Sequence, residues 1–128
     1  MPPLAHNGRY WRTEIHERAL RDAGRFFIPR ETFDEVVRRF HALGDEQTHH
    51  RSQDADVVQI ARPLAAPWTD SVFRVKWYDD DLSALRVFYV VFRDEPAGKR
   101  GTLWLVGVTV RSSVTYTTEL DRILADLL

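Results

Sequence analysis

The stretch from Phe73 to Asp94, FRVKWYDDDLSALRVFYVVFRD, reads as two strands joined by a polar turn. Successive side chains of a strand point to opposite faces. Arg74, Lys76 and Tyr78 therefore share one face of the first arm, and Phe73, Val75 and Trp77 share the other. The second arm, Leu85 to Arg93, is apolar on both faces yet carries Arg86 at its head. Three cations thus stand at the head of the most apolar hairpin in the chain.

Working outward, Thr102 to Arg111 forms a third strand that is again apolar on both faces. Such strands belong at the centre of a sheet, where both sides are covered. The loop between the second and third strands, DEPAGKRG (residues 94–101), supplies the Pro and Gly of a second hairpin. Upstream, RYWRTEI (Arg9 to Ile15) alternates as a half-buried strand does. ERALRDAGRFF predicts a short helix ended by Gly24 and Pro29. RETFDEVVRRFHALG predicts a longer one, with Phe33, Val36, Val37, Phe40 and Leu43 on one stripe, Thr32 and Glu35 as a capping box, and Gly44 as its end.

DEQTHHRSQDAD (residues 45–56) is polar and unpatterned, which predicts an exposed loop. VVQIARPLAAPW predicts a short extended run, because Pro63 and Pro67 block a long helix. TTELDRILADLL predicts a closing helix with Leu120, Ile123, Leu124, Leu127 and Leu128 on one face and Thr117 or Thr118 as its cap. The predicted order is β-α-α-β-β-β-α. It describes an α+β fold: a small, twisted, mainly antiparallel sheet with two N-terminal helices packed on it and a C-terminal helix.

The 128 residues, 44% hydrophobic and 29% charged, suit one domain spanning 1–128. No signal-like segment or long apolar run is present, so cytoplasm is the expected location and no membrane partner is expected. The absence of cysteine excludes disulfide partners, thiolate nucleophiles and Cys-based zinc sites. A formal charge of −1 gives no global attraction to nucleic acid, so any anion site must be local. Sixteen of the eighteen basic residues are Arg, a compositional bias that makes the lysines Lys76 and Lys99 the more informative cations.

Arg74 and Lys76, two residues apart on a strand, lie about 7 Å apart and can hold one phosphate or two neighbouring ones. Arg86 joins them if it starts the adjacent strand near that face; otherwise the three form a solvated face whose stems cover apolar surface. Arg111 at the end of the third strand and Tyr116 before the last helix form a second cluster. Beside cations a phenol acts as a general base or stacks on a base; more commonly it packs its ring and exposes its hydroxyl. His49 and His50, with His41 upstream, lack the spacing that aims two ligands at one metal, and Asp79 to Asp81 read as a polar turn. No metal and no cofactor is expected. GKRG (residues 98–101) lacks the P-loop frame, and Ser112 and Ser113 lack a His–Asp partner.

Several of these segments together resemble the RelE/ParE superfamily of toxins from type II toxin-antitoxin pairs. They are TEIHERALRD, FRVKW followed by LRVFYVVF, TLWLVGV and VTYTTELDRIL. In the RelE-like branch the resemblance implies a messenger-RNA endoribonuclease, an mRNA interferase that cuts in the ribosomal A site and inhibits translation. It implies basic residues in the pattern [Y/F]-[K/R]-x-K-x, which falls on Phe73 to Trp77. It also implies an Arg opening the next strand (Arg86), an Arg after the last strand (Arg111) and a Tyr before the final helix (Tyr116). Lys76, Arg86, Arg111 and Tyr116 are then the catalytic candidates, and Arg74, Lys76 and Arg86 the RNA-phosphate ligands, with Lys76 or Tyr116 as the base. The implied partners are a cognate antitoxin, messenger RNA and the ribosome. The ParE-like branch would instead make the chain an inhibitor of DNA gyrase, and a non-catalytic binding domain is the third alternative.

Overall fold

The computed structural model describes residues 2–94 and 99–128. Six strands form one mixed sheet: β1 (Ala5–Asn7), β2 (Arg12–Ile15), β3 (Ala55–Gln59), β4 (Val72–Trp77), β5 (Leu85–Phe92) and β6 (Thr102–Val110). Their order across the sheet is β1-β2-β6-β5-β4-β3. All neighbours are antiparallel except β2 and β6, which run parallel. The helices are α1 (Glu17–Arg25), α2 (Arg30–Leu43) and α3 (Leu120–Asp126), the last entered through a π-helical turn at Thr115–Glu119. No helix among the described residues is long and apolar enough to cross a membrane.

β6 and β5 take the two central positions, as strands apolar on both faces must. One sheet face carries Val75, Trp77, Val87, Tyr89, Leu103 and Leu105 against the α2 stripe Phe33, Val36, Val37, Phe40 and Leu43. The other face packs Val72, Phe88, Val90 and Val106 against Leu120, Ile123 and Leu124 of α3. The register between β5 and β6 pairs Phe88 with Gly107 but Tyr89 with Leu105, so Val106 is a bulge. A Cβ at Gly107 would stand 2.5 Å from Ile123 Cδ1, so the glycine lets α3 approach the sheet closely.

α1 packs Ala19, Leu20 and Ala23 against the α2-side core and also borders β6. β2 ends at Ile15, which leaves the β6 edge beyond Leu105 without a strand partner. Arg18 and Asp22, one helical turn apart, take its place: Arg18 Nη1 donates to Val106 O at 2.8 Å, and Asp22 Oδ2 accepts from Val108 N–H at 2.8 Å. The two side chains are also ion-paired at 3.2 Å, and Arg18 Nε reaches Asp126 of α3 at 3.1 Å. Burial pushes the Asp22 carboxyl above its usual range, against the pull of the Val108 N–H and Arg18.

Several sequence expectations are corrected. The sheet has six strands rather than four, because Ala5–Asn7 and Ala55–Gln59 add at its two edges. α2 starts at Arg30, so Thr32 lies inside the helix; Pro29 is its N-cap and no side-chain capping bond forms. Thr117 and Thr118 sit within the π-helical turn instead of capping α3. Residues 95–98 of the second expected hairpin turn lie outside the described residues.

The 45–56 segment was expected to be exposed, but His49 within it is only 1% exposed. Its Nδ1 shares a 2.7 Å hydrogen bond with the Tyr89 hydroxyl, and its ring packs edge-on against Trp11 and Phe73. Desolvation pushes His49 down to about 4, helped by the charges of His50 and Arg93. The unfolded chain takes up a proton there near pH 6.5, whereas the folded chain does so only near 4. Stability is therefore full above pH 6.5 and falls as pH drops toward 4, by roughly 3 kcal/mol. Urea titrations across pH 4–7 should show this slope, and His49→Leu should flatten it, leaving the smaller shares of His41 and His16, which burial also pushes down.

Candidate functional site

Strand parity places Val72, Arg74 and Lys76 on the α3 side of β4, since Val72 belongs to the α3-side core and Phe73, Val75 and Trp77 to the α2-side core. Cross-strand register then builds a row on that side: Arg74 opposite Phe88, and Phe88 opposite Gly107. One step toward the hairpin end, Arg86 lies opposite Thr109. Val75 opposite Val87 is the last pair between β4 and β5, and Lys76 and Arg86 are the next residues along.

The cations differ in how firmly they are held. Arg74 is 8% exposed; its Nη1 and Nη2 grip the Asp56 carboxylate at 3.1 and 3.2 Å, and Nη1 also donates to Asp56 O. Asp56 sits on the neighbouring edge strand, opposite Lys76. Arg86 is 6% exposed, and its Nη1 donates to Ser83 O at 2.7 Å and Leu85 O at 2.9 Å, which folds the guanidinium back on the hairpin turn. Lys76 is half-buried, with Nζ 5.8 Å from the centre of the exposed Tyr78 ring.

Arg111 follows β6 directly and is exposed; its N–H donates to Ala84 O at 2.8 Å, which ties it to the head of β5 beside Arg86. Tyr116 is 40% exposed, and its ring meets Phe88 edge-on at 5.9 Å. Its carbonyl accepts from Arg62 Nε at 3.0 Å, and Arg62 also pairs with Asp121. Arg74, Lys76, Arg86 and Tyr116 therefore share one sheet face, with Arg111 at the same end of the sheet.

Two buried polar atoms in these rows have no partner: Arg74 Nε and Thr109 Oγ1. Both lack a hydrogen-bond partner among the described residues, and a buried polar group left unpaired lowers stability. Thr109→Val keeps the shape and deletes the unpaired hydroxyl. It should raise the midpoint of thermal unfolding, by about 1 kcal/mol of stability. Differential scanning calorimetry of wild type and Thr109→Val checks this.

Asp79, first of the three turn aspartates, is drawn toward α2. Arg39 Nη1 and Nη2 hold it at 2.7 and 2.6 Å, and Arg39 Nε also reaches Glu35 at 3.0 Å. Arg39 holds both carboxyls below their usual range. Arg39, Trp77, Tyr78 and Asp79 help line a cavity of about 560 Å³ between α2 and residues 46–54. Of the histidines weighed for metal binding, His41 is bound to Thr13 Oγ1 at 2.6 Å and Pro3 O at 2.7 Å, and His49 to Tyr89. No group of three or more His, Asp or Glu among the described residues is placed to hold a metal.

Asp56, Arg62 and Thr109 escaped the sequence reading. Asp56 and Arg62 lie in stretches without pattern, and their partners are 18 and 54 residues away. A threonine in a central strand carries no signal that separates it from any β-branched strand residue. The chain matches no family model, no curated protein and no solved structure.

Proposed function

We propose that this chain is a RelE-like toxin, an mRNA endoribonuclease acting on translated messages without a metal and held in check by a cognate antitoxin. The observation that carries the reading is the common face of Arg74, Lys76 and Arg86, with the Tyr116 ring seated on Phe88 in the same rows. The order of elements supports it as well. With the two edge strands β1 and β3 set aside, what remains is β-α-α-β-β-β-α.

The chemistry needs three acts. The ribose 2′-OH gives its proton to a base, Lys76 or Tyr116, and its oxygen attacks the adjacent phosphorus. The bond from phosphorus to the 5′-oxygen breaks, leaving a 2′,3′-cyclic phosphate and, once protonated, a 5′-hydroxyl. Negative charge grows on the equatorial oxygens during this step, and Arg86, aided by Arg74 and Arg111, stabilises it. Arg86 held by carbonyls of its own turn and Arg74 held by Asp56 are preoriented, so little reorganisation accompanies the reaction.

The Asp56 carboxylate also offsets the charge of Arg74, and that observation favours the second reading, a gyrase inhibitor on the same scaffold. Induction of the chain in bacterial cells followed by primer extension separates the two. The nuclease reading expects growth arrest with cuts confined to translated codons. DNA breaks with intact transcripts establish gyrase poisoning, and growth without either leaves a non-catalytic binding domain.

A further inference from the structure

α1 ends in a Schellman motif: Ile28 N–H donates to Ala23 O at 2.8 Å, and Phe27 N–H to Gly24 O at 3.3 Å. The residue between these bonds takes a left-handed backbone, a place where glycine is the usual occupant. Here it is Phe27, with φ 54°, and its ring is 90% exposed. Its neighbours behave ordinarily. Phe26 packs partly against the core under the Arg25 guanidinium, and Ile28 is buried. Phe27 thus bears two separate penalties: a left-handed backbone that closes the helix but that glycine would adopt without strain, and a solvated phenyl that packs against nothing in the core. Such outliers persist at functional positions.

Its place in the molecule suggests what the ring contacts. Arg18 meets Val106 and Asp22 meets Val108, so α1 advances along β6 toward Arg111. One turn later Arg25 grips Glu119 through two 2.9 Å bonds, and Glu119 closes the π-helical turn that carries Tyr116. The Phe27 tip is therefore fastened to the Tyr116 end of the candidate site. Arg21 and Arg30 flank it in the chain, both exposed and without an ion pair among the described residues, with Glu31 the nearby acid. An exposed aromatic with these two arginines six positions before and three after it in the chain suits a polyanion whose units present flat rings, which describes single-stranded nucleic acid.

We infer that Phe27 is a stacking platform for an unpaired base of the RNA, outside the cleavage centre but at its end of the sheet. This inference rests on the nuclease reading and adds a positioning residue to it. The test measures binding of a fluorescein-labelled single-stranded RNA decamer by anisotropy in low salt, beside cleavage of a translated message. Phe27→Gly should weaken decamer binding by about tenfold. It should also raise the melting temperature by about 3 °C, because the strain is relieved, so the loss cannot be ascribed to unfolding. Phe27→Trp should bind at least as well as wild type, and Phe27→Leu as poorly as Phe27→Gly. A Phe27→Gly protein that binds the decamer like wild type, while wild type still cuts message, overturns the stacking role and leaves the nuclease reading standing. The stacking role is equally overturned if the substitution weakens only binding to anionic phospholipid vesicles. A wild type that neither binds the decamer nor cuts message overturns both.

Discussion

Arg86→Ala should lower the rate of RNA cleavage by about 10²–10³-fold, the range seen when one preoriented donor to a developing oxyanion is removed. Arg86 is buried in the candidate face at the head of a central strand, with its Nη1 bonded to two carbonyls. Those carbonyls are Ser83 O in the hairpin turn and Leu85 O at the start of β5, so the truncation should cost about 2 kcal/mol of stability and leave the fold standing. Arg86→Lys keeps the charge but not the planar fork, and its rate should fall between the two. The measurement is single-turnover cleavage of message on stalled ribosomes, with circular dichroism as the check on folding.

Asp22→Ala should lower the free energy of unfolding by about 3–5 kcal/mol, the usual consequence of removing one partner from a buried ion pair. The loss is compound. Arg18, 5% exposed, would be left with its charge answered only by Asp126, and Val108 N–H would lose its acceptor. A buried ion pair can often be exchanged for apolar residues at little cost. Here it should not be, because Arg18 and Asp22 substitute for a missing strand along the β6 edge. The double variant Arg18→Met/Asp22→Leu should therefore stay at least about 2 kcal/mol less stable than wild type, as Val106 O and Val108 N–H go unpaired. Urea unfolding of both variants tests this. A double variant as stable as wild type would show that the edge is satisfied in some other way.

Much of the sheet's centre and of α2 was legible because one local pattern decides each. The apolar runs of β5 and β6 demand cover on both faces, and the α2 stripe demands a sheet beneath it. The edge strands were legible only in part: Val57 to Gln59 fall within the extended run expected for VVQIARPLAAPW, but no strand was expected before Arg9. Ala5–Asn7 is short and exposed along its whole length, and Ala55–Gln59 follows a polar run that reads as loop. The burial of His49 depends on Trp11 and Tyr89, 38 and 40 positions distant in the chain, which no local pattern encodes. Arg18 and Asp22 look like any surface pair one turn apart; their role follows from where β2 stops. At the site, parity put Arg74 and Lys76 on one face, and the register adds Arg86 to it. Parity could not tell that Asp56 would hold Arg74, or that Thr109 would stand unpartnered opposite Arg86.

The cationic face as an RNA-cleaving site is tested most directly in a purified translation system programmed with a defined message, comparing wild type with Arg86→Ala. Wild type should cut the message within translated codons and leave 2′,3′-cyclic phosphate and 5′-hydroxyl ends, with no dependence on added metal beyond what the ribosome needs, while Arg86→Ala leaves it whole. An intact message with wild type, or equal cutting by Arg86→Ala, would contradict the assignment of this face.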